Sequence, residues 1–215
     1  MPLARRPMWL ASLAALLFSP QLLAATPIAW ERLEDPLLRA AQFDLLLGKP
    51  YEALTRLEAD LAQGFITRRP EQAQVVLGGM YLANGAHRKA AAIFEKLGNS
   101  DQPQTVRNQA WLNLAQLQYQ HEQADLAVES LARIQGSLPS QAQQERLLLS
   151  AMLHMQLGDF DTAVTQLRQL GQKSLVQQLS EKSVWATYGR FNLGVALFRQ
   201  GEEKEARRLL EELGA

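Results

Sequence analysis

The chain has 215 residues and a formal net charge of zero, with 22 Lys+Arg against 22 Asp+Glu. It contains no cysteine; 47% of its residues are hydrophobic and 7% aromatic. A neutral chain lacks the basic field that holds nucleic acid, and a chain without cysteine has no disulfide scaffold, thiolate metal site, thiol nucleophile or acylated N-terminal cysteine.

Residues 1–25 have the layout of an export signal. Arg5 and Arg6 are the only charges before Glu31, and an apolar run follows from Met8 to Phe18. Ser19, Pro20 and the small residues Ala24 and Ala25 close the segment. A positive start, an apolar centre and a small-residue end mark a signal peptide. The centre is shorter than the roughly 20 residues that a spanning helix needs. Leu22 or Leu23 stands where a small residue is preferred, which leaves the cleavage point open. The alternative is an uncleaved anchor ending at Ala25, the one route to a membrane. Cleavage takes Arg5 and Arg6 and leaves 20 basic against 22 acidic residues, a net charge of −2. The expectation is an exported periplasmic protein that is not a lipoprotein.

After a lead-in over residues 26–34, punctuation marks a series of helices. Asp35-Pro36 and Lys49-Pro50 place proline at first helical positions, where its missing N–H does no harm. Ser140 with Gln143 reads as a capping box, and Asp159 can cap the helix after Gly158. Gly48, Gly85, Gly158 and Gly201 end first helices, and Gly64, Gly98, Gly136, Gly171 and Gly214 end second helices as left-handed stops. Acidic groups, Glu31/Glu34/Asp35 and Glu202/Glu203/Glu205, sit at helix starts, where they complement the dipole. No alternating strand pattern is present.

The punctuation repeats. Gly48, Gly85, Gly158 and Gly201 are each followed five residues later by an alanine, namely Ala53, Ala90, Ala163 and Ala206. Glu122 takes the glycine's place before Ala127. Four residues after each alanine stands Leu57, Phe94, Leu131, Leu167 or Leu210. Twelve residues before each stands a small residue: Ala41, Gly78, Ala115, Ala151 or Gly194. Such self-similarity marks a repeat architecture.

The pattern resembles the tetratricopeptide repeat (TPR) family, W-x2-L-G-x2-Y, then alanine, then aromatic or leucine, then proline. Leu77-Gly78-x2-Tyr81…Gly85…Ala90-x3-Phe94 is the clearest copy. Trp111-x2-Leu114-Ala115…Ala127-x3-Leu131…Pro139 is another, and Leu193-Gly194…Ala206-x3-Leu210 a third. The first copy is the most degenerate, with Asp44 where tyrosine is expected. The resemblance implies an all-α, right-handed α-α superhelical solenoid of about five TPR-like hairpins over residues 35–215, with repeats at about 35–69, 70–101, 102–138, 139–178 and 179–215. The period exceeds 34 residues, which predicts longer turns between pairs and an extension around residues 171–183.

A lone hairpin cannot bury its apolar face, so stacked hairpins share a core. The predicted core is Leu77, Tyr81, Phe94, Trp111, Leu114, Leu131, Leu147, Leu167, Trp185, Leu193 and Leu210. Ala90, Ala127 and Ala163 should accept nothing larger. Leu209, Leu210 and Leu213 on the last helix lack a capping helix, which suggests a continuing array, self-association through that repeat, or a frayed end.

Chemistry is not indicated. His87, His121 and His154 lack the i, i+4 spacing of a zinc protease. There is no G-x-S-x-G and no phosphate-binding loop. No catalytic, metal or cofactor site is expected, and the histidines read as structural or surface residues. In TPR arrays the first helices line a groove. By repeat position the resemblance implies Val75, Val76, Gly79 and Leu82, then Leu112, Asn113, Gln116, Tyr119 and Gln120. Leu148, Met152, Met155 and Gln156 follow, then Tyr188, Phe191, Asn192, Val195, Phe198 and Arg199. Asn113, Tyr119, Asn192 and Arg199 are the ones expected to be exposed. The basic residues of carboxylate-clamping TPRs are missing. Amides can pair with a peptide backbone, methionine adapts to apolar partners, and tyrosine anchors interfaces.

The expected function is a non-enzymatic periplasmic scaffold that binds a helix or extended peptide of another protein in cell-envelope assembly, with no nucleic acid and no cofactor. The alternative is the non-catalytic arm of a longer envelope enzyme or exporter, truncated at residue 215.

Overall fold

The computed structural model describes residues 33–177 and 184–214. The expected signal peptide lies outside them, as does the side chain of Trp185. Among the described residues the chain forms ten α-helices and no strand. They are α1 (Pro36–Leu46), α2 (Pro50–Ala62), α3 (Pro70–Ala83), α4 (His87–Gly98) and α5 (Gln104–Gln120), followed by α6 (Ala124–Ala132), α7 (Ser140–Gln156), α8 (Phe160–Gln177), α9 (Val184–Gln200) and α10 (Glu203–Gly214). Each helix packs on the next, and α3, α5, α7 and α9 also touch in succession. From α3 onward the first helices of the hairpins therefore form a continuous layer, as a helical repeat solenoid requires.

Why these segments are helices follows from their ends. Pro36, Pro50 and Pro70 each open a helix. The hairpins turn through residues with positive φ: Gly48 at 73°, Gly85 at 74°, Gly158 at 82° and Gly201 at 99°. Glu122, in the same register, is forced to 60°. A left-handed backbone costs an L-residue roughly 1–2 kcal/mol, and glycine does not bear that strain. Glu122→Gly should therefore raise the unfolding free energy by about 1 kcal/mol, less what glycine's freer unfolded chain takes back. Urea denaturation checks this, and a loss of stability would contradict it.

Packing explains the small residues. A Cβ on Gly78 would stand 2.5 Å from Phe94 Cε1, and one on Gly194 would stand 2.8 Å from Leu210 Cδ2. The register alanines Ala53, Ala90, Ala127 and Ala163 are fully buried. Leu77, Tyr81, Phe94, Trp111, Leu114, Leu131 and Leu167 are buried as predicted, while Leu147, Leu193 and Leu210 are half-buried. The core has two clusters that meet on α7: Leu149 and Leu153 belong to the larger, Leu148 and Ala151 to the smaller. Tyr81 ties the first two hairpins, its hydroxyl donating to Glu58 Oε1 at 2.6 Å with the Lys89 ammonium 4.8 Å from its ring centre. Burial and the Glu58 carboxylate push the phenol up to about 12.

Three local expectations are corrected. Gly98 is no left-handed stop: it lies in α4, and a Cβ there would meet Trp111 Cε2 at 2.5 Å. Gly171 does not end a helix either, because α8 continues to Gln177. Pro139, not Ser140, takes the cap position of α7, and that cap makes no side-chain hydrogen bond. The expected extension around residues 171–183 falls partly on α8, which at 18 residues outruns α2, α4 and α6, while residues 178–183 lie outside the described ones; α5, α7 and α9 also lengthen to 17 residues against 11 in α1 and 14 in α3.

Two side chains hold the linkers that leave second helices. Asp35 caps α1 by accepting from Leu37 N–H at 2.9 Å and also accepts from Arg68 N–H at 3.1 Å, in the α2–α3 linker. Asn108, 1% exposed, does the same for the α6–α7 linker, donating to Gln135 C=O at 2.7 Å and accepting from Gln135 N–H at 3.1 Å. Burial raises the Asp35 carboxyl, but the backbone N–H groups of Arg68, Leu37, Leu38 and Thr67 outweigh it and hold it below the usual carboxylate range. A depressed native value means that its stabilisation is present above the unfolded value, near pH 4, and is lost as pH falls through the native one. Asp35→Asn should cost about 1 kcal/mol at pH 7 and flatten the loss of stability below pH 4. An unchanged acid limb in urea melts at pH 7 and pH 3 would refute this.

Candidate functional site

The layer of first helices is where a groove was expected. On α3, Val75, Val76, Gly79 and Leu82 are buried. Leu112 and Leu148 are buried likewise. They are core and offer no surface. On α5 two expected site residues are corrected. Asn113 is 3% exposed, and its Oδ1 accepts from Gln109 Nε2 at 2.9 Å. Gln116 is fully buried and donates from Nε2 to Glu145 Oε1 on α7. For Gln116 the reason is geometric: α7 packs against α5 and brings Glu145 onto this amide. Gln116 joins two helices and Asn113 bonds along its own, and both are buried.

Accessible positions begin at the end of α5. Tyr119 and Gln120 are half-buried. Tyr119 packs against the larger core cluster, and burial pushes its phenol above the ordinary tyrosine value. On α7, Met152 and Met155 are half-buried and Gln156 is exposed. Met152 and Met155, with Tyr188 of α9, border the smaller cluster. The structure thus places Met152, Met155 and Tyr188 at the border of one core cluster. Tyr188, Phe191, Asn192, Val195 and Arg199 follow the i, i+3, i+4, i+7, i+11 spacing of one helix face. Asn192 Nδ2 donates to Tyr188 C=O at 2.8 Å, while Arg199 is exposed and Phe198 is 43% exposed. The face is apolar and amide-bearing, with the Arg199 cation at its end. It suits a side chain-rich polypeptide surface.

A second concavity was not anticipated. A cleft of about 500 Å³ lies between α4 and α6, floored by Trp111, Leu114 and Leu117 of α5. The Arg133 guanidinium stands 4.7 Å from the Trp111 ring centre and donates to Asn99 Oδ1 at 3.2 Å. His87 and His121 meet edge to face at one end, ring centres 4.6 Å apart. The available signal was their register: each flanks a hairpin turn, at Gly85 and at Glu122, one repeat apart. His154 lies elsewhere, with Nδ1 3.1 Å from Asp159 Oδ2. Asp159 also caps α8 by accepting from Thr162 N–H at 3.1 Å, and its bonds with Thr162, then the His154 side chain, hold its carboxyl below the usual range. Among the described residues no group of three His, Asp or Glu side chains is placed to hold a metal ion, and no helix is long and apolar enough to cross a membrane.

Residues 147–174 and 187–212 each match the tetratricopeptide repeat. The fold is similar to the crystal structure of nearly identical TPR-like repeats from a Podosopora anserina kinesin light chain candidate. That likeness has a TM-score of 0.63 and 22% identity, over 82% of this chain and 91% of the other. A point variant of those repeats matches with a TM-score of 0.64 at the same identity and coverage. No curated protein matches the chain.

Proposed function

We propose that this array of tetratricopeptide repeats is a non-enzymatic scaffold that takes a helix or extended segment of another protein along α5, α7 and α9. Repeats of this kind serve protein–protein interaction, which is the coarse function. The observation that carries the finer reading is the graded exposure of the first-helix face. It is closed at α3, half-open at Tyr119, Gln120, Met152, Met155 and Phe191, and most open at Phe198 and Arg199. Aromatic and arginine anchors over half-buried methionines are the usual makings of an interface centre. Placement in the periplasm rests on the Arg5-Arg6 start, the apolar run and the small-residue end of residues 1–25. A role in envelope assembly is an analogy at the level of the fold.

The test is a binding measurement on a partner captured from the envelope fraction. Phe191→Ala combined with Phe198→Ala and Arg199→Ala should weaken binding by about 30-fold or more, as hot-spot anchors do. Leu126→Ala, in the cleft between α4 and α6, should leave it unchanged. The reverse pattern would move the site to that cleft and reject this reading.

A further inference from the structure

The turn joining α1 to α2 exposes four large apolar side chains within residues 43–51. Phe43 is 59% exposed, Leu46 68%, Leu47 54% and Tyr51 70%. Phe43, Leu46 and Leu47 fall at i, i+3 and i+4, on one face of the last turn of α1. Exposed Lys49 stands at the apex among them. Together the four present on the order of 500 Å², near the top of the range for a patch on a monomer.

The exposed large apolar side chains of this hairpin gather at the tip, apart from Phe65 at 58% in the α2–α3 linker, and Leu37, Leu54 and Leu61 along the helices are half-buried. Away from it the fully exposed positions along the two helices are mostly polar, among them Arg39 on α1 and Glu52, Thr55, Arg56 and Glu58 on α2. A helix stacked on this hairpin would need an apolar row along its length. A second copy forming a stable pair needs about 800 Å² from each partner, which exceeds what the tip offers. A bilayer interface requires neither. Aromatic rings and leucines settle at headgroup depth, and a lysine among them carries its ammonium out to lipid phosphates.

We propose that the α1–α2 tip, Phe43, Leu46, Leu47 and Tyr51 around Lys49, docks on a lipid bilayer surface. It does so independently of the protein-binding face on α5, α7 and α9. The absence of native cysteine allows a clean probe. The full chain carries Leu47→Cys or, as reference, Ala59→Cys, each labelled with an environment-sensitive fluorophore. It is mixed with vesicles of equal parts phosphatidylethanolamine and phosphatidylglycerol. The Leu47→Cys signal should rise on the order of twofold and be quenched by brominated acyl chains, as insertion to interfacial depth requires. The Ala59→Cys signal should stay flat, and adding Leu46→Ser with Tyr51→Ser should abolish the rise. Because the label reads the tip itself, insertion of residues 1–25 does not mimic the result. No rise at Leu47→Cys, or an equal rise at both positions, would overturn the proposal. So would a rise that needs only higher protein concentration, which would mark a second copy as the occupant.

Discussion

Asn108→Ala is expected to destabilise the protein by about 2 kcal/mol, above the usual effect of a single hydrogen bond. The side chain is 1% exposed and makes three hydrogen bonds. Its Oδ1 accepts from Gln104 Nε2 at 2.7 Å and from Gln135 N–H at 3.1 Å, while its Nδ2 donates to Gln135 C=O at 2.7 Å. Both backbone groups of Gln135 lose their partner on truncation. An unsatisfied buried group costs about 1–3 kcal/mol, and because Gln135 is an exposed residue each of the two losses lies toward the lower end of that range. Asn108→Asp should fare no better, because a carboxylate cannot donate to Gln135 C=O and would be buried as a charge. Urea denaturation measures the loss, and hydrogen exchange locates it. Protection should fall first around α6 and the α6–α7 linker, since a repeat array opens locally. A loss under about 1 kcal/mol would show that water replaces these bonds.

Gly78→Ala should lower stability by about 1–2 kcal/mol, although alanine is the better helix former by up to about 1 kcal/mol. The added Cβ would lie 2.5 Å from Cε1 and 2.8 Å from Cζ of Phe94, a side chain with no exposure and little room to yield. Overpacking of this kind costs about 1–3 kcal/mol. Equivalent pairs sixteen residues apart show the remedy. Ala41 faces the register of Leu57, Ala115 that of Leu131, and Ala151 that of Leu167, all buried. In these three pairs alanine fits against leucine, whereas a Cβ on Gly194 would still meet Leu210 Cδ2 at 2.8 Å, so the fit also depends on the leucine's rotamer. In a Phe94→Leu background Gly78→Ala should therefore become neutral or stabilising. The coupling expected in a double-mutant cycle is about 2 kcal/mol, and additive effects would contradict the account.

The repeat register was legible because it is imposed by local geometry. Each hairpin needs a residue at positive φ and a small residue where its helices cross, and both demands recur in the sequence. Glu122 shows that the demand persists where glycine does not, since its backbone is still left-handed at 60°. Gly98 was misread because a glycine near a helix end looks the same whether it bends the chain or makes room for Trp111. The amides were the harder case. Asn113 and Gln116 have the chemistry to hold a peptide, and the same chemistry to hold Gln109 and Glu145. For Gln116 the packing of α7 on α5 decides between these, and for Asn113 it is burial in the folded array. Asp35 was recognised as a group at a helix start, but its reach to Arg68 spans 33 residues and has no local signature. The cleft over Trp111 is assembled from α4, α5 and α6, so no single segment announced it.

The central claim is that partners meet the first-helix face. Photo-crosslinking in living cells tests it most directly, with a photoreactive residue at Phe198 on α9 or at Leu126 on α6. Both side chains are exposed, at 43% and 45%, so reactivity alone does not favour either. The account predicts a discrete protein adduct from position 198 and none from position 126. An adduct from position 126 alone would place binding in the cleft between α4 and α6 and contradict the claim.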